Sequence, residues 1–350
     1  SGADAIHPGY GLLSESPEFA EACAAAGITF IGPKPETMRR LGNKVAARNL
    51  AIEVGVPVVP ATDPLPDDME AVKALAKTIG YPVMLKALWG GGDRGMRAIR
   101  SEADLAREVM EGKREAKAAF GKDEVYLEKL VERARHVEVQ VLGDTHGNAV
   151  HLFERDCSIQ RRNQKVVERA PAPYLSEALR QELCGYALKI ARETSYIGAG
   201  TVEFLQDADT GKFYFIEVNP RIQVEHTVTE VVTGVDVVKT QILVAAGKPL
   251  ADPEIGLSEQ AAVRTHGYAF QCRVTTEDPA NNFVPDYGRM SHYRSASGFG
   301  IGTTRVSCVT WCGPSSSRLA TARSFIVRST SVRRIEMVLS TPRRPPAIRP

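Results

Sequence analysis

Apolar and polar positions along this 350-residue chain change period repeatedly, and each change marks an element. From His136 to Leu142 they alternate: Val137, Val139 and Val141 fall on one face, and His136, Glu138 and Gln140 on the other, as a strand requires. Met69, Val72, Leu75, Ala76 and Ile79 recur at helical spacing before Gly80. Ser16-Pro17 opens a helix that Gly27 closes, and residues 28–31 form a short apolar strand. Residues 81–88 predict a buried strand that carries one lysine, Lys86, and residues 96–99 a second short strand. Ser101 is placed to cap the next helix, with Asp104 in its first turn. Residues 201–205 and 213–218 flank Asp207-Ala208-Asp209-Thr210-Gly211, which has turn chemistry, and predict a hairpin. Residues 227–246 predict one helix ended by Gly247. Helices alternating with strands predict an α/β or α+β protein.

Five constellations carry candidate chemistry. Trp89-Gly90-Gly91-Gly92-Asp93-Arg94-Gly95-Met96 is glycine-rich, so its backbone can approach phosphates and donate amides. A strand pattern follows it instead of a helix, which predicts the tip of a hairpin lid. Lys86, inside an apolar strand, needs a partner such as a phosphate under that lid, or else snorkels to water. Lys44, at the start of a helix, is a weaker candidate of the same kind. The strongest signal frames the hairpin: Glu203 on one strand, then Glu217, Asn219, Arg221, Gln223 and Glu225 alternating on the other and beyond. With the turn centred on Thr210, Glu203 pairs with Glu217, both seven residues away, and Asn219 shares Glu217's face. Like charges facing across strands destabilise. Two carboxylates and an amide oxygen are the ligands that Mg²⁺ or Mn²⁺ takes, completed by substrate phosphates. The run Glu154 to Lys165, dense in charges and amides, suits phosphate or carboxylate binding; taken alone it reads as a solvated loop. Glu128-Lys129-Leu130-Val131, at a strand end, could offer backbone groups to an adenine edge.

Charge and composition narrow the class. The chain is 43% apolar, 25% charged and 7% aromatic, which excludes a disordered chain, a collagen and a disulfide miniprotein, and allows two or three domains. The net charge of +2 hides an asymmetry: residues 302–350 hold nine arginines and a single acidic residue, Glu336, leaving 35 basic against 41 acidic groups before them. A mildly acidic body is not a nucleic-acid footprint. No apolar run approaches the roughly 20 residues of a membrane helix. The N-terminus lacks a secretory pattern and an initiator methionine, so the chain is expected to be cut from something longer. Six scattered cysteines read as free thiols in the cytoplasm.

Together, His7 to Glu15, Gly90 to Arg97, Arg135 to Glu138, Glu154 to Pro173, Gly200 to Leu205 and Phe215 to His226 resemble the biotin carboxylase component of the biotin-dependent carboxylases, an ATP-grasp fold. The resemblance runs unbroken to about residue 301. Within the family, Gln160 to Leu175, Gln271 to Pro279 and Tyr293 to Gly300 resemble the pyruvate carboxylase members most. It implies residues 1–43 as the end of a Rossmann-like pre-ATP-grasp domain and 44–250 as the ATP-grasp domain, its lid at about 58–130. Residues 251–301 would start a C-terminal domain, and 302–350 are expected to be a disordered tail outside the family.

The implied activity is carboxylation of biotin by bicarbonate, through carboxyphosphate formed from ATP. By position, the resemblance assigns Lys44, Lys86, Gly91, Gly92 and His136 to phosphates. Glu128, Lys129 and Val131 go to adenine, and Gln160 and Asn163 lie near the nucleotide. Glu203, Glu217 and Asn219 are assigned to divalent ions; Lys165, Arg221, Gln223 and the Val224 backbone to bicarbonate; Glu225 to the base; and Arg221 also to the biotin enolate. Partners would be ATP, bicarbonate and a biotinylated carrier domain, in a homo-oligomer, with no nucleic acid and no membrane.

The chain departs from the family at Leu88 and Asp93 in the lid, where Asp93 would oppose phosphate and weaken ATP affinity. From Gly302 the composition is that of a GC-rich message read out of frame, and an arginine of the family is missing there. The alternatives are another acid–amine ligase on this fold, such as a carbamoyl phosphate synthetase, or an inactive nucleotide-binding fragment. Arg221-Ile-Gln-Val-Glu225 with Gln160 to Lys165 favours the first reading.

Overall fold

A computed structural model describes residues 2–87, 96–161, 164–275, 277–281, 283–285, 301–308 and 320–329. It opens with a small parallel unit. Strand β1 (Ala5–Ile6) pairs with β2 (Thr29–Phe30) across helix α1 (Pro17–Ala25), and the Ser16 hydroxyl caps α1 by accepting from the Phe19 amide, as the Ser-Pro signal predicts. Helices α2 (Pro35–Gly42) and α3 (Lys44–Glu53) lead into the main body; the Asn43 side chain caps α3 on the Val45 and Ala46 amides.

A three-stranded antiparallel sheet follows α4 (Met69–Ile79). Its order is β4 (Arg97–Ile99), β3 (Val83–Ala87), β5 (Val125–Lys129), and α5 (Glu102–Phe120) joins β4 to β5. Val83 pairs with Ile99, so β3 and β4 are the expected hairpin; its tip, Leu88 to Gly95 with Gly91, Gly92 and Asp93, lies outside the described residues. Val72, Ala76, Leu105 and Val109 of the helices pack on Val83, Leu85, Ile99 and Leu127. Ser101 stands at the N-cap of α5 but donates to the Asp104 carboxylate at 2.8 Å instead of accepting a backbone amide, which corrects the expected cap.

The larger sheet is antiparallel. Its core is β6 (Ala134–Gly143), β7 (Ala149–Arg161), β8 (Gln164–Ala170), β9 (Gly198–Asp207), β10 (Phe213–Asn219) and β11 (Tyr268–Val274), in the order β10-β9-β6-β7-β8-β11. One face buries Val137, Val139, Val141, Val202 and Phe204 against α3 and α6 (Glu177–Glu193), whose Leu183, Ala187 and Ile190 meet them. The other carries the polar residues and, at its margins, α7 (His226–Thr233) and α8 (Val237–Ala245).

Three expectations change here. The single helix over 227–246 is two, because Gly234 takes a left-handed conformation (φ 74°) that ends α7, and Asp236 caps α8 on the Lys239 amide. The run 154–165 is no solvated loop: its described residues belong to strands β7 and β8, with Glu154, Arg155 and Asp156 buried. In and just before the expected tail, Ile301–Cys308 and Ala320–Ser329 have strand backbone and extend the sheet beyond β11. An uncovered edge strand offers unpaired backbone groups, which such pairing satisfies.

Segment 57–62 ties the two sheets together. The Pro57 carbonyl accepts from the Phe215 amide of β10, and the Pro60 carbonyl from the Lys129 amide of β5. Among the described residues no helix is long and apolar enough to cross a membrane.

Candidate active site

Four neighbouring strands bring charged residues into one row. Glu217 of β10 pairs with Glu203 of β9, Glu203 with Glu138 of β6, and Glu138 with Arg155 of β7. Directly paired residues stand on the same face with Cβ atoms about 4.5–5.5 Å apart, so three carboxylates lie abreast. The Glu203–Glu217 pairing is the expected one, reached by another route. Residues 213–215 pair about a centre between Asp209 and Thr210, half a residue from the expected one. A ladder irregularity between Phe215 and Glu217 then leaves Ile216 extra and restores the pairing.

Such a row needs cations. Lys165, from β8, donates to Glu138 Oε2 at 2.5 Å, to Glu203 Oε1 at 2.8 Å and to Glu225 Oε1 at 2.8 Å. The His136 ring lies 3.0 Å from Glu203 and 3.7 Å from Glu138. Arg155, wholly buried, donates to Glu138 at 2.6 Å and to Gln140, Thr201, Thr229 and Gln223. Gln223 presents its amide nitrogen to Glu203 at 2.8 Å, because its carbonyl is held by Arg155; Asn219 donates to Glu203 at 2.9 Å. Lys44 lies 3.4 Å from the half-exposed Glu217.

These contacts set the charges. Burial disfavours the Glu138 carboxylate, but Lys165 and Arg155 hold it well below the usual range. Burial opposes Glu203 too, yet the hydrogen bond from His136 and the charge of Lys165 bring it to about 2. Burial works against a charged His136, and its two glutamates outweigh that and raise it to about 9. Lys165 is likewise desolvated but pushed well above the ordinary lysine value by Glu138 and Glu225. Burial raises Glu168 on β8 to about 7, with Arg273 only partly offsetting it. The Cys157 thiol is raised by burial and by Glu138.

His136, Lys165, Glu203, Asn219, Gln223 and Glu225 thus form one connected cluster, with Glu217 at its end. Val224 lies between Gln223 and Glu225 on the segment entering α7. Arg221 turns to the rim: it contacts Glu15 of the N-terminal unit and donates to Asn219 Oδ1 at 3.0 Å. Lys86 and Glu128, on neighbouring strands of the small sheet, form an ion pair with each other. Lys129 donates its ammonium to the Gly80 and Tyr81 carbonyls and its amide to Pro60, and Val131 follows β5. Gln160 donates to the Cys157 carbonyl; Asn163 lies outside the described residues.

Three partners of the cluster were not singled out from sequence: Glu138, Arg155 and Arg273. Glu138 shares the polar face of β6 with His136, which is a usable signal; Arg155 and Arg273 meet the cluster only through strand pairing.

A divalent cation fits the donors. Glu203 and Glu217 offer hard carboxylate oxygens, and these like-charged neighbours gain from a cation between them, while Asn219 turns its amide nitrogen to Glu203 and its oxygen to Arg221. Ligand atoms of His136, Glu138 and Glu203 also lie within 4.8 Å of one another.

Known proteins resemble this chain over most of its length. Residues 43–252 match the family described as carbamoyl-phosphate synthase L chain, ATP binding domain, and residues 1–38 the biotin carboxylase N-terminal domain. Pyruvate carboxylase of Bacillus subtilis (strain 168) is 55% identical over 298 residues, 85% of this chain and 26% of that protein. The mitochondrial pyruvate carboxylase of Homo sapiens is 53% identical over 298 residues, 85% of this chain and 25% of that one. Rhizobium etli pyruvate carboxylase, solved with acetyl coenzyme A, superposes with a TM-score of 0.77 at 69% identity over 94% of this chain and 29% of that one. The biotin carboxylase domain of Hydrogenobacter thermophilus 2-oxoglutarate carboxylase, solved with MgADP, ADP and bicarbonate, gives 0.77 at 45% identity over 94% of this chain and 71% of that one. The chain spans about a quarter of the length of the curated relatives it matches.

Proposed function

The chain belongs to the biotin carboxylase family of ATP-grasp ligases, and from that premise we propose that it carboxylates biotin with bicarbonate at the expense of ATP, the first half-reaction of pyruvate carboxylase. The observation that carries the proposal is the carboxylate row under Lys165, with Gln223 and Glu225 beside it. Bicarbonate attacks the γ-phosphorus, ADP leaves, and carboxyphosphate then yields CO₂ and phosphate; the ureido nitrogen of biotin takes up the CO₂.

In this reading Glu225 removes the bicarbonate proton, a role that contributes on the order of 10²–10⁴-fold. Lys165, the Gln223 amide, Arg221 and the Val224 backbone hold the anion; Gln223 already points its donor inward because Arg155 occupies its carbonyl. Arg221 offers a planar fork to an enolate oxygen as well. His136, Lys44, Lys86, Gly91 and Gly92 would meet phosphates; Glu128, Lys129, Val131, Gln160 and Asn163 would line the nucleotide. Glu203, Glu217 and Asn219 would hold Mg²⁺ or Mn²⁺, which when bound offsets phosphoryl charge.

Biotin on a carrier domain is the proposed acceptor, a homo-oligomer the proposed assembly, and the cytoplasm the proposed compartment; the free thiols of Cys23, Cys157, Cys184 and Cys272 suit a reducing one. The test is ATP cleavage that requires bicarbonate and rises with free biotin. ATP cleavage indifferent to biotin would favour a carbamoyl phosphate synthetase type of ligase instead. No bicarbonate-dependent cleavage at saturating Mg²⁺ would overturn the proposal.

A further inference from the structure

Each carboxylate oxygen of Glu225 meets a different cation. Oε1 accepts from Lys165 Nζ at 2.8 Å, and Oε2 from an Arg273 terminal nitrogen at 2.6 Å. Arg273 stands on β11, beyond residues 43–252 that match the ATP-binding domain. Its Nε lies 2.5 Å from Oε1 of Glu168, a wholly buried residue of the neighbouring strand β8. Two positions before Arg273 on the same face of β11, the buried Gln271 accepts a hydrogen bond from the Thr227 hydroxyl. Alternate residues of β11 therefore grip residues 225 and 227, where the anion-binding segment turns into α7.

The two cations on Glu225 have different duties. Lys165 is shared among Glu138, Glu203 and Glu225 and is itself proposed to bind the anion, so an incoming bicarbonate competes for it. Among the described residues Arg273 is shared between Glu225 and Glu168 alone, and Glu168 takes no part in the proposed reaction. A guanidinium fork can span two carboxylates in a fixed plane, which one ammonium cannot.

We propose that Arg273 is the positioning residue for Glu225. It anchors Oε2, Glu168 holds it in place, and Oε1 becomes the oxygen that receives the bicarbonate proton once Lys165 turns to the anion. The inference rests on the biotin carboxylase reading. It means that β11 completes the base, so the ATP-binding domain alone holds Glu225 without its anchor.

The experiment follows biotin-stimulated, bicarbonate-dependent ATP cleavage in the full chain and in Arg273→Met, Arg273→Lys, Glu168→Gln, Glu225→Gln and the Arg273→Met/Glu225→Gln pair. Misplacing a reacting group by about 1 Å costs on the order of 10²-fold, so Arg273→Met should lower kcat by roughly 10- to 100-fold with the KM for MgATP within about twofold. Arg273→Lys should recover part of that loss, and Glu168→Gln should lower kcat less than Arg273→Met does. The paired variant should be no slower than Glu225→Gln alone, because residues acting as a unit are not additive. Wild-type kcat in Arg273→Met, or losses that multiply in the pair, would overturn the role. Wild-type kcat in Glu168→Gln would overturn the support assigned to Glu168, whether or not Arg273→Met folds. If the unsubstituted chain shows no bicarbonate-dependent cleavage, the biotin carboxylase reading itself fails, and this role goes with it before any variant is compared.

Discussion

Arg155→Met is the sharpest test of how the carboxylate row is held. Arg155 and Glu138 are each 0% exposed, and the guanidinium meets Glu138 at 2.6 Å. Removing one partner of a buried ion pair costs about 3–5 kcal/mol. Glu138 keeps Lys165 at 2.5 Å, which pulls the figure down. Gln140, Thr201, Thr229 and Gln223 lose a donor, which pulls it up by at least about 1 kcal/mol for each acceptor left buried and unpaired. The expected loss is at least about 4 kcal/mol. At about 2–4 °C per kcal/mol for a domain of 150–250 residues, the melting temperature should fall by roughly 8–16 °C or more. Thermal unfolding followed by circular dichroism at neutral pH reads this directly. Adding Glu138→Gln should recover at least half of the loss, since replacing both partners is far milder than stranding one. A melting temperature within about 2 °C of the parent, or a paired variant less stable than Arg155→Met, would refute the reasoning.

Other outcomes follow from the same contacts. Glu225→Gln should abolish bicarbonate-dependent ATP cleavage, by at least about 10²-fold, while a nucleotide titration stays unchanged; lost nucleotide binding would assign the residue elsewhere. Lys86→Ala should do the reverse and weaken nucleotide binding. His136, raised to about 9 from an ordinary 6.5, contributes stability that is complete below pH 6.5 and disappears as pH rises through 9. In metal-free buffer the stability gap between the parent and His136→Asn should therefore shrink by about 3 kcal/mol over that window; a gap constant with pH would contradict the charged pairing. Gly143→Ala would set its Cβ 1.9 Å from the Tyr196 carbonyl oxygen, so soluble yield and melting temperature should both drop sharply, and a neutral variant would show that this contact relaxes cheaply.

Much of the site could be read along the chain because its residues are local. Glu203 and Glu217 flank one turn, and Asn219, Arg221, Gln223 and Glu225 follow at a spacing of two. Even there the pairing holds through an extra residue at Ile216, which no alternation reveals. The division of residues 227–246 was also legible, in Gly234 and Asp236, but apolar periodicity runs across both and hides the break. Glu154 to Lys165 looked like loop because charge density usually means solvent. Here the buried charges have partners on other elements, Arg155 on Glu138 of β6, Asp156 on Arg169 of β8 and Glu154 on Arg180 of α6, which allows burial.

Sequence alone determined the identities and the local order: which residues are acids, bases and amides, which strands are two-faced, and which family they resemble. Only the tertiary structure decided which charges meet. Strand order places Glu138 between Glu203 and Arg155, and brings Arg273 from beyond the ATP-binding domain onto Glu225. The reason is physical: alternation along a strand chooses a face, whereas neighbours across a sheet are set by hydrogen-bonded register between segments far apart in the chain, and buried charges survive only where that register supplies a counter-charge.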